Sequence, residues 1–141
     1  MNVPVARFPT IFAVSALLLL SLAACNQREQ PIYTASARPV PQASQSLPPD
    51  QLRLKFVTAI ERAGWVVHDE APGQLTAEMR WRTHAAMVTV AYNATTYSIS
   101  YKNSENLLVG RVPEGMIHRQ YNNRVRRLED AITSGLLRRT P

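Results

Sequence analysis

The chain has 141 residues, enough for one domain and short for two. Hydrophobic residues make up 45% and charged residues 18%, which excludes collagen-like, mucin-like and wholly disordered chains. A single Cys excludes an intramolecular disulfide and a multi-Cys zinc site, while 16 Lys plus Arg against 10 Asp plus Glu give a formal charge of +6.

The N-terminus differs from the rest. Arg7 is the only charge before Arg28, and residues 11–24 are apolar or small throughout. That run falls short of the ~20 residues a membrane-spanning helix needs. A basic residue, an apolar stretch and small residues at a cut site describe a secretory signal. The stretch closes as Leu22-Ala23-Ala24-Cys25. This resembles the lipobox of bacterial lipoproteins: a Leu, two small residues and a Cys. The resemblance implies cleavage between Ala24 and Cys25, a diacylglyceryl thioether on Cys25 and an acyl chain such as palmitate on its new amine. No other cofactor is expected. A thiolate is the strongest side-chain nucleophile, which suits it to accept the lipid. Two or more acyl chains hold a protein on a membrane stably. The next residue is Asn26. In the lipoprotein sorting rule, Asp there retains the protein at the inner membrane. Asn26 therefore points to the outer membrane, with the domain on its periplasmic face. That address removes nucleic acid from the expected partners, despite the basic charge.

Residues 25–49 read as the acylated Cys followed by a tether. Five prolines (31, 39, 41, 48 and 49) alternate with Gln, Ser and Ala, and neither a strand nor a helix period is present. Such a segment reaches ~30 Å as a flexible coil and roughly 75 Å if polyproline-like. The folded domain is then expected over 50–141.

A helix is expected from Asp50, which follows Pro48-Pro49 and reads as the N-cap. Leu52, Phe56, Ile60 and Ala63 repeat at helical spacing, and Gly64 marks the end. Four strands follow. The first is Trp65–Glu70, closed by the turn Ala71-Pro72-Gly73. Residues 75–82 alternate Leu75, Ala77, Met79 and Trp81 with Thr76, Glu78, Arg80 and Arg82. The third is Ala86–Tyr92, and the fourth is Tyr97–Lys102. Short connections make these antiparallel neighbours. A loop over Asn103–Gly115 precedes a last helix, whose stripe is Ile117, Tyr121, Val125, Leu128, Ile132 and Leu136. The expected fold is α+β: a two-layer sandwich ordered helix, four-stranded antiparallel meander, helix.

The same region resembles a family of small proteobacterial lipoproteins with no assigned activity. The resemblance covers about residues 52–136. It rests on Gly64-Trp65, Pro72-Gly73, Val88, Val90 and Tyr92, Tyr97, Ile99 and Tyr101, Asn106-Leu107, Ile117-His118 and Tyr121-Asn122, with Val125 and Leu128. Where the family carries a Trp two positions after the Tyr-Asn pair, this chain has Arg124. The resemblance implies location and architecture, and no chemistry.

Two groups are candidates for binding. His118, Tyr121 and Asn122 are helix neighbours and form a candidate polar site, or else fix the preceding Asn103–Leu107 loop. Arg119, Arg124, Arg126 and Arg127 form a candidate anion site, since guanidinium forks suit phosphate and carboxylate. The three histidines, His68, His84 and His118, lack metal-ligand spacing, so no metal site is expected. No Gly-x-Ser-x-Gly elbow, phosphate loop or catalytic carboxylate pair is present in the sequence. The expectation is a non-enzymatic, membrane-anchored envelope lipoprotein that binds an envelope protein or an anionic glycan. The alternatives are an assembly factor pairing through a sheet edge at Trp65–Glu70 or Tyr97–Lys102, and an envelope enzyme accessory with a polar site near His118.

Overall fold

Pro49 opens the main N-terminal helix because its missing N–H would have had no partner in the first turn. The computed structural model describes residues 28–138. Its elements in chain order are β1 (Glu29–Pro31), β2 (Ala35–Pro39), α1 (Gln42–Gln45) and α2 (Pro49–Arg62). Strands β3 (Val66–Ala71), β4 (Gln74–Trp81), β5 (His84–Tyr92), β6 (Thr96–Glu105) and β7 (Met116–His118) then lead to α3 (Arg119–Leu137).

In α2, Leu52, Phe56, Ala59 and Ile60 form the buried stripe. Asp50, expected as the N-cap, instead lies in the first turn, where its charge suits the helix dipole. The helix ends at a left-handed Gly64, φ 83°. The Gly64 amide donates to the Glu61 carbonyl at 2.9 Å and the Trp65 amide to the Ile60 carbonyl at 3.2 Å. This pair of bonds is the Schellman ending, and it turns Trp65 into the core.

The main sheet has five antiparallel strands in the order β2-β6-β5-β4-β3. Strands β3 to β6 are the four expected from alternation. The fifth, β2, is a correction. It comes from the segment read as a tether and pairs Ala35 with Ile99 and Arg38 with Tyr97. Ala35 and Val40 are buried, and Ser44 of α1 donates its hydroxyl to the Leu136 carbonyl at 2.5 Å. The prolines did not prevent this. Pro31 and Pro39 sit at strand ends on outer strands, where a missing N–H breaks no ladder.

The loop expected over Asn103–Gly115 is also shorter than read. β6 runs on to Glu105, past a register shift opposite Met87/Val88. Ile117, read as the start of the last helix, lies in β7. That short strand pairs with β1 as a separate two-stranded sheet, with Gln30 opposite Ile117.

Both long helices lie on one face of the main sheet. Phe56 stacks on Tyr92, ring centres 4.4 Å apart, and meets Tyr97 edge-on at 5.7 Å. Tyr121 meets Tyr101 edge-on at 5.6 Å. Leu75, Ala77, Val88, Val90, Ile99, Val125, Leu128 and Ile132 fill the space between. The other face is polar: Arg80 bridges Glu78 and Glu105, His68 meets Glu78, and Lys102 donates to the Thr76 hydroxyl. Along their axes, α2 and α3 approach closely. A Cβ on Gly135 would lie 2.8 Å from the Cβ of Ala59.

Candidate functional site

His118, which ends β7 and caps α3, and Tyr121 and Asn122 in the first turn of α3 occupy three different surroundings. Asn122 is buried and faces the N-terminal segment rather than the Asn103–Leu107 loop. Its Oδ1 accepts from the Tyr33 amide at 2.9 Å, and its Nδ2 donates to the Pro31 carbonyl at 2.9 Å and to Gln30 Oε1 at 3.2 Å. A side-chain amide can donate to one backbone group and accept from another at the same time. Asn122 is thus a clamp on β1 and the chain after it.

Tyr121 is fully buried against Tyr101. Burial pushes its hydroxyl well above the ordinary tyrosine range, and the oxygen has no hydrogen-bond partner among the described residues. It is a packing residue.

His118 caps α3. Its Nδ1 accepts from the Gln120 amide at 3.2 Å, and its own amide donates to the Leu107 carbonyl at 3.0 Å. Its ring stacks on His84 at 6.4 Å, and His84 in turn lies against Trp81 at 5.6 Å. Burial, then the nearby charges of His84, Arg119 and Arg28, hold its imidazole below the ordinary range. The His118–His84 contact was not legible in the sequence. It depends on the β4–β5 turn and the start of α3 arriving at the same end of the fold.

The four arginines do not form one cluster. The Arg124 guanidinium lies 4.0 Å from the Trp81 ring centre and donates to the Met79 sulfur. Its Nε is buried without a hydrogen-bond partner among the described residues, and burial lowers its pKa. Arg126 lies on the other flank, 3.9 Å over the Tyr33 ring. Tyr33 also donates to Glu129, which pairs with Arg38 of β2 at 2.6 Å. Arg119 and Arg127 are exposed. Two of the four arginines therefore pack on aromatic rings, one on each side of α3.

A groove of about 900 Å³ runs between α2 and α3 near the C-terminal end of α3. Leu54, Lys55, Arg62, Asp130, Ser134 and Arg138 line it. Lys55 donates to the carbonyls of Leu136 and Arg138, closing the end of α3. The rim is mainly cationic over an apolar floor, and His118 is not part of it.

Neither proposed edge is open and flat. The Tyr97–Lys102 edge of β6 is occupied by β2 over Thr96–Ile99. The β3 edge carries a register shift between Val67 and Asp69, with exposed His68, Asp69 and Glu70, features that discourage strand addition. Among the described residues, no group of three or more His, Cys, Asp or Glu could hold a metal ion, and no helix is long and apolar enough to cross a membrane. Ala24 and Cys25, the cleavage and lipidation residues, lie outside the described residues.

No family model matches the chain, and no curated protein or solved structure matches it either.

Proposed function

We propose that this chain is a membrane-anchored lipoprotein of the bacterial envelope, acylated at Cys25 and non-enzymatic, held on the periplasmic face of the outer membrane. The observation that carries this reading is Leu22-Ala23-Ala24-Cys25 directly behind a charge-free apolar stretch. We read the layout as two layers, with α2 and α3 covering one face of the sheet. Its function is binding, and the groove between α2 and α3 is its surface for an anionic envelope glycan. Arg62 and Arg138 at its rim supply guanidinium groups suited to carboxylate, and the exposed Leu54 supplies an apolar contact. The groove lies at the C-terminal end of α3. β1, the first described strand after Cys25, lies at the other end.

The anchor is tested by expressing the Cys25→Ser chain in cells fed a labelled fatty acid. Loss of label and of membrane recovery is expected; continued labelling overturns the reading. The groove is tested by sedimenting detergent-extracted protein with isolated peptidoglycan sacculi. Co-sedimentation that disappears in the Arg62→Gln, Arg138→Gln double variant is expected. Absence of co-sedimentation, or its persistence in the variant, overturns the glycan assignment.

A further inference from the structure

We infer that the end of the domain formed by β1, β7 and the first turn of α3 sits directly on the anionic phospholipid surface to which the chain is anchored. The inference rests on the lipoprotein reading and adds to it an orientation and a contact surface.

The first observation is distance along the chain. β1 begins at Glu29 and is already paired, Glu29 opposite His118. The Arg28 carbonyl accepts from the Arg119 amide at 2.7 Å, and Asn122 holds Gln30, Pro31 and Tyr33. Two residues, Asn26 and Gln27, separate Cys25 from Arg28, so the three steps of chain reach about 10 Å when extended. A tether ending at residue 49 would have let the domain swing free. A chain already bonded at Arg28 and Glu29 keeps this end beside the lipid.

The second observation is charge. Arg28 and Arg119 meet at this end, and both act on the imidazole of His118. Arg82 is exposed on the β4–β5 turn, whose His84 stacks on His118. Arg111 is exposed in the loop that leads into β7. Glu29 and Glu114 are the opposing charges there, while Glu105 is bridged by Arg80. The balance is cationic. Attraction of basic residues to anionic headgroups fades over about 8 Å at physiological salt, a distance similar to the reach of the anchor.

The third observation is an apolar tip. Leu107 is buried, and its carbonyl is bonded to the His118 amide. The chain then turns through Leu108 and Gly110, both at positive φ, and leaves Val109 exposed between them. An exposed aliphatic side chain two residues from Arg111, at the end that leads to the lipid anchor, suits the boundary between headgroups and acyl chains.

The test uses the full acylated chain, reconstituted into vesicles of phosphatidylethanolamine and phosphatidylglycerol. An environment-sensitive fluorophore is placed on Val109→Cys or, at the far end of α3, on Leu137→Cys; both positions are exposed. Nitroxide-labelled lipids should cause loss of fluorescence at 109 and none at 137. The loss at 109 should shrink in vesicles of phosphatidylcholine alone. In a protein that carries acyl chains and floats with the vesicles, no loss at 109, or equal loss at both sites, overturns the seating alone. Equal loss at 109 in both lipids overturns the assignment to anionic headgroups. A chain that carries no acyl group and does not float overturns the lipoprotein reading and the seating with it.

Discussion

Asn122 and Tyr33 lie 89 positions apart in sequence, and the Tyr33 amide donates to the Asn122 Oδ1 at 2.9 Å in a half-buried setting. The same amide side chain satisfies the Pro31 carbonyl. Replacing Asn122 with Ala leaves a donor and an acceptor of the N-terminal segment without partners at a half-buried site. The expected loss is about 1–2 kcal/mol of stability. Asn122→Asp keeps the acceptor for Tyr33 but loses the donor to Pro31, so it should fall between the two. Denaturant midpoints give the ranking, and hydrogen exchange should show faster opening over residues 29–39 in the Ala variant. Equal protection of that segment in wild type and variant would refute the clamp.

Gly135 sets the spacing of the two long helices. Ala at an open helix position gains about 1 kcal/mol over Gly. Here the added Cβ would stand 2.8 Å from the Ala59 Cβ, so the helices must part. Overpacking of this kind costs about 1–3 kcal/mol. Gly135→Ala is therefore expected to lower stability despite its propensity. Adding Ala59→Gly should recover part of that loss, although Gly alone weakens α2. Thermal melts of the two single variants and the double variant check this. Purely additive effects would mean the two positions do not touch.

Much of the fold was legible because its signals are local. Leu75, Ala77, Met79 and Trp81 alternate along β4, and Tyr121, Val125, Leu128 and Ile132 repeat along α3. Each pattern reports one face of one element. The segment over residues 29–45 was misread because its pairing is remote. Ala35 meets Ile99, and Ser44 meets Leu136. Nothing near Ala35 signals a strand, and the prolines point away from one. The candidate site was harder still. Sequence spacing puts His118, Tyr121 and Asn122 together on a helix, yet each side chain finds a different partner: His84, Tyr101 and Tyr33. The arginines behave the same way, Arg124 on Trp81 and Arg126 on Tyr33. Proximity along a helix fixes which residues are neighbours. It does not fix what stands opposite them.

Ile132 tests the assignment of the α3 face. It is fully buried in the layer between helix and sheet. Ile132→Asp would place a carboxylate in this apolar layer, at a cost of about 4 kcal/mol or more. A domain of ordinary stability has roughly 5–15 kcal/mol in all, so the variant should be largely or wholly unfolded. Circular dichroism should show no cooperative melt, or one far below wild type. Asp130, two residues earlier, is exposed, so Asp130→Asn serves as the control and should melt like wild type. An unchanged transition in Ile132→Asp would mean that this face does not meet the sheet.

The last expectation concerns pH. His118 is pushed below the ordinary imidazole range first by burial, then by the charges of His84, Arg119 and Arg28. The folded state therefore resists protonation that the unfolded chain accepts. Stability from this group is complete above the unfolded pKa of about 6.5 and is lost as pH falls from there through the lower folded value. Protonation also removes the lone pair with which Nδ1 accepts from the Gln120 amide, so the cap fails in the same window. His118→Asn keeps a capping acceptor and removes the titration. Its stability should match wild type near pH 8 and exceed it near pH 5. Urea midpoints across that range check the claim. A wild-type slope that survives the substitution would refute the role of His118.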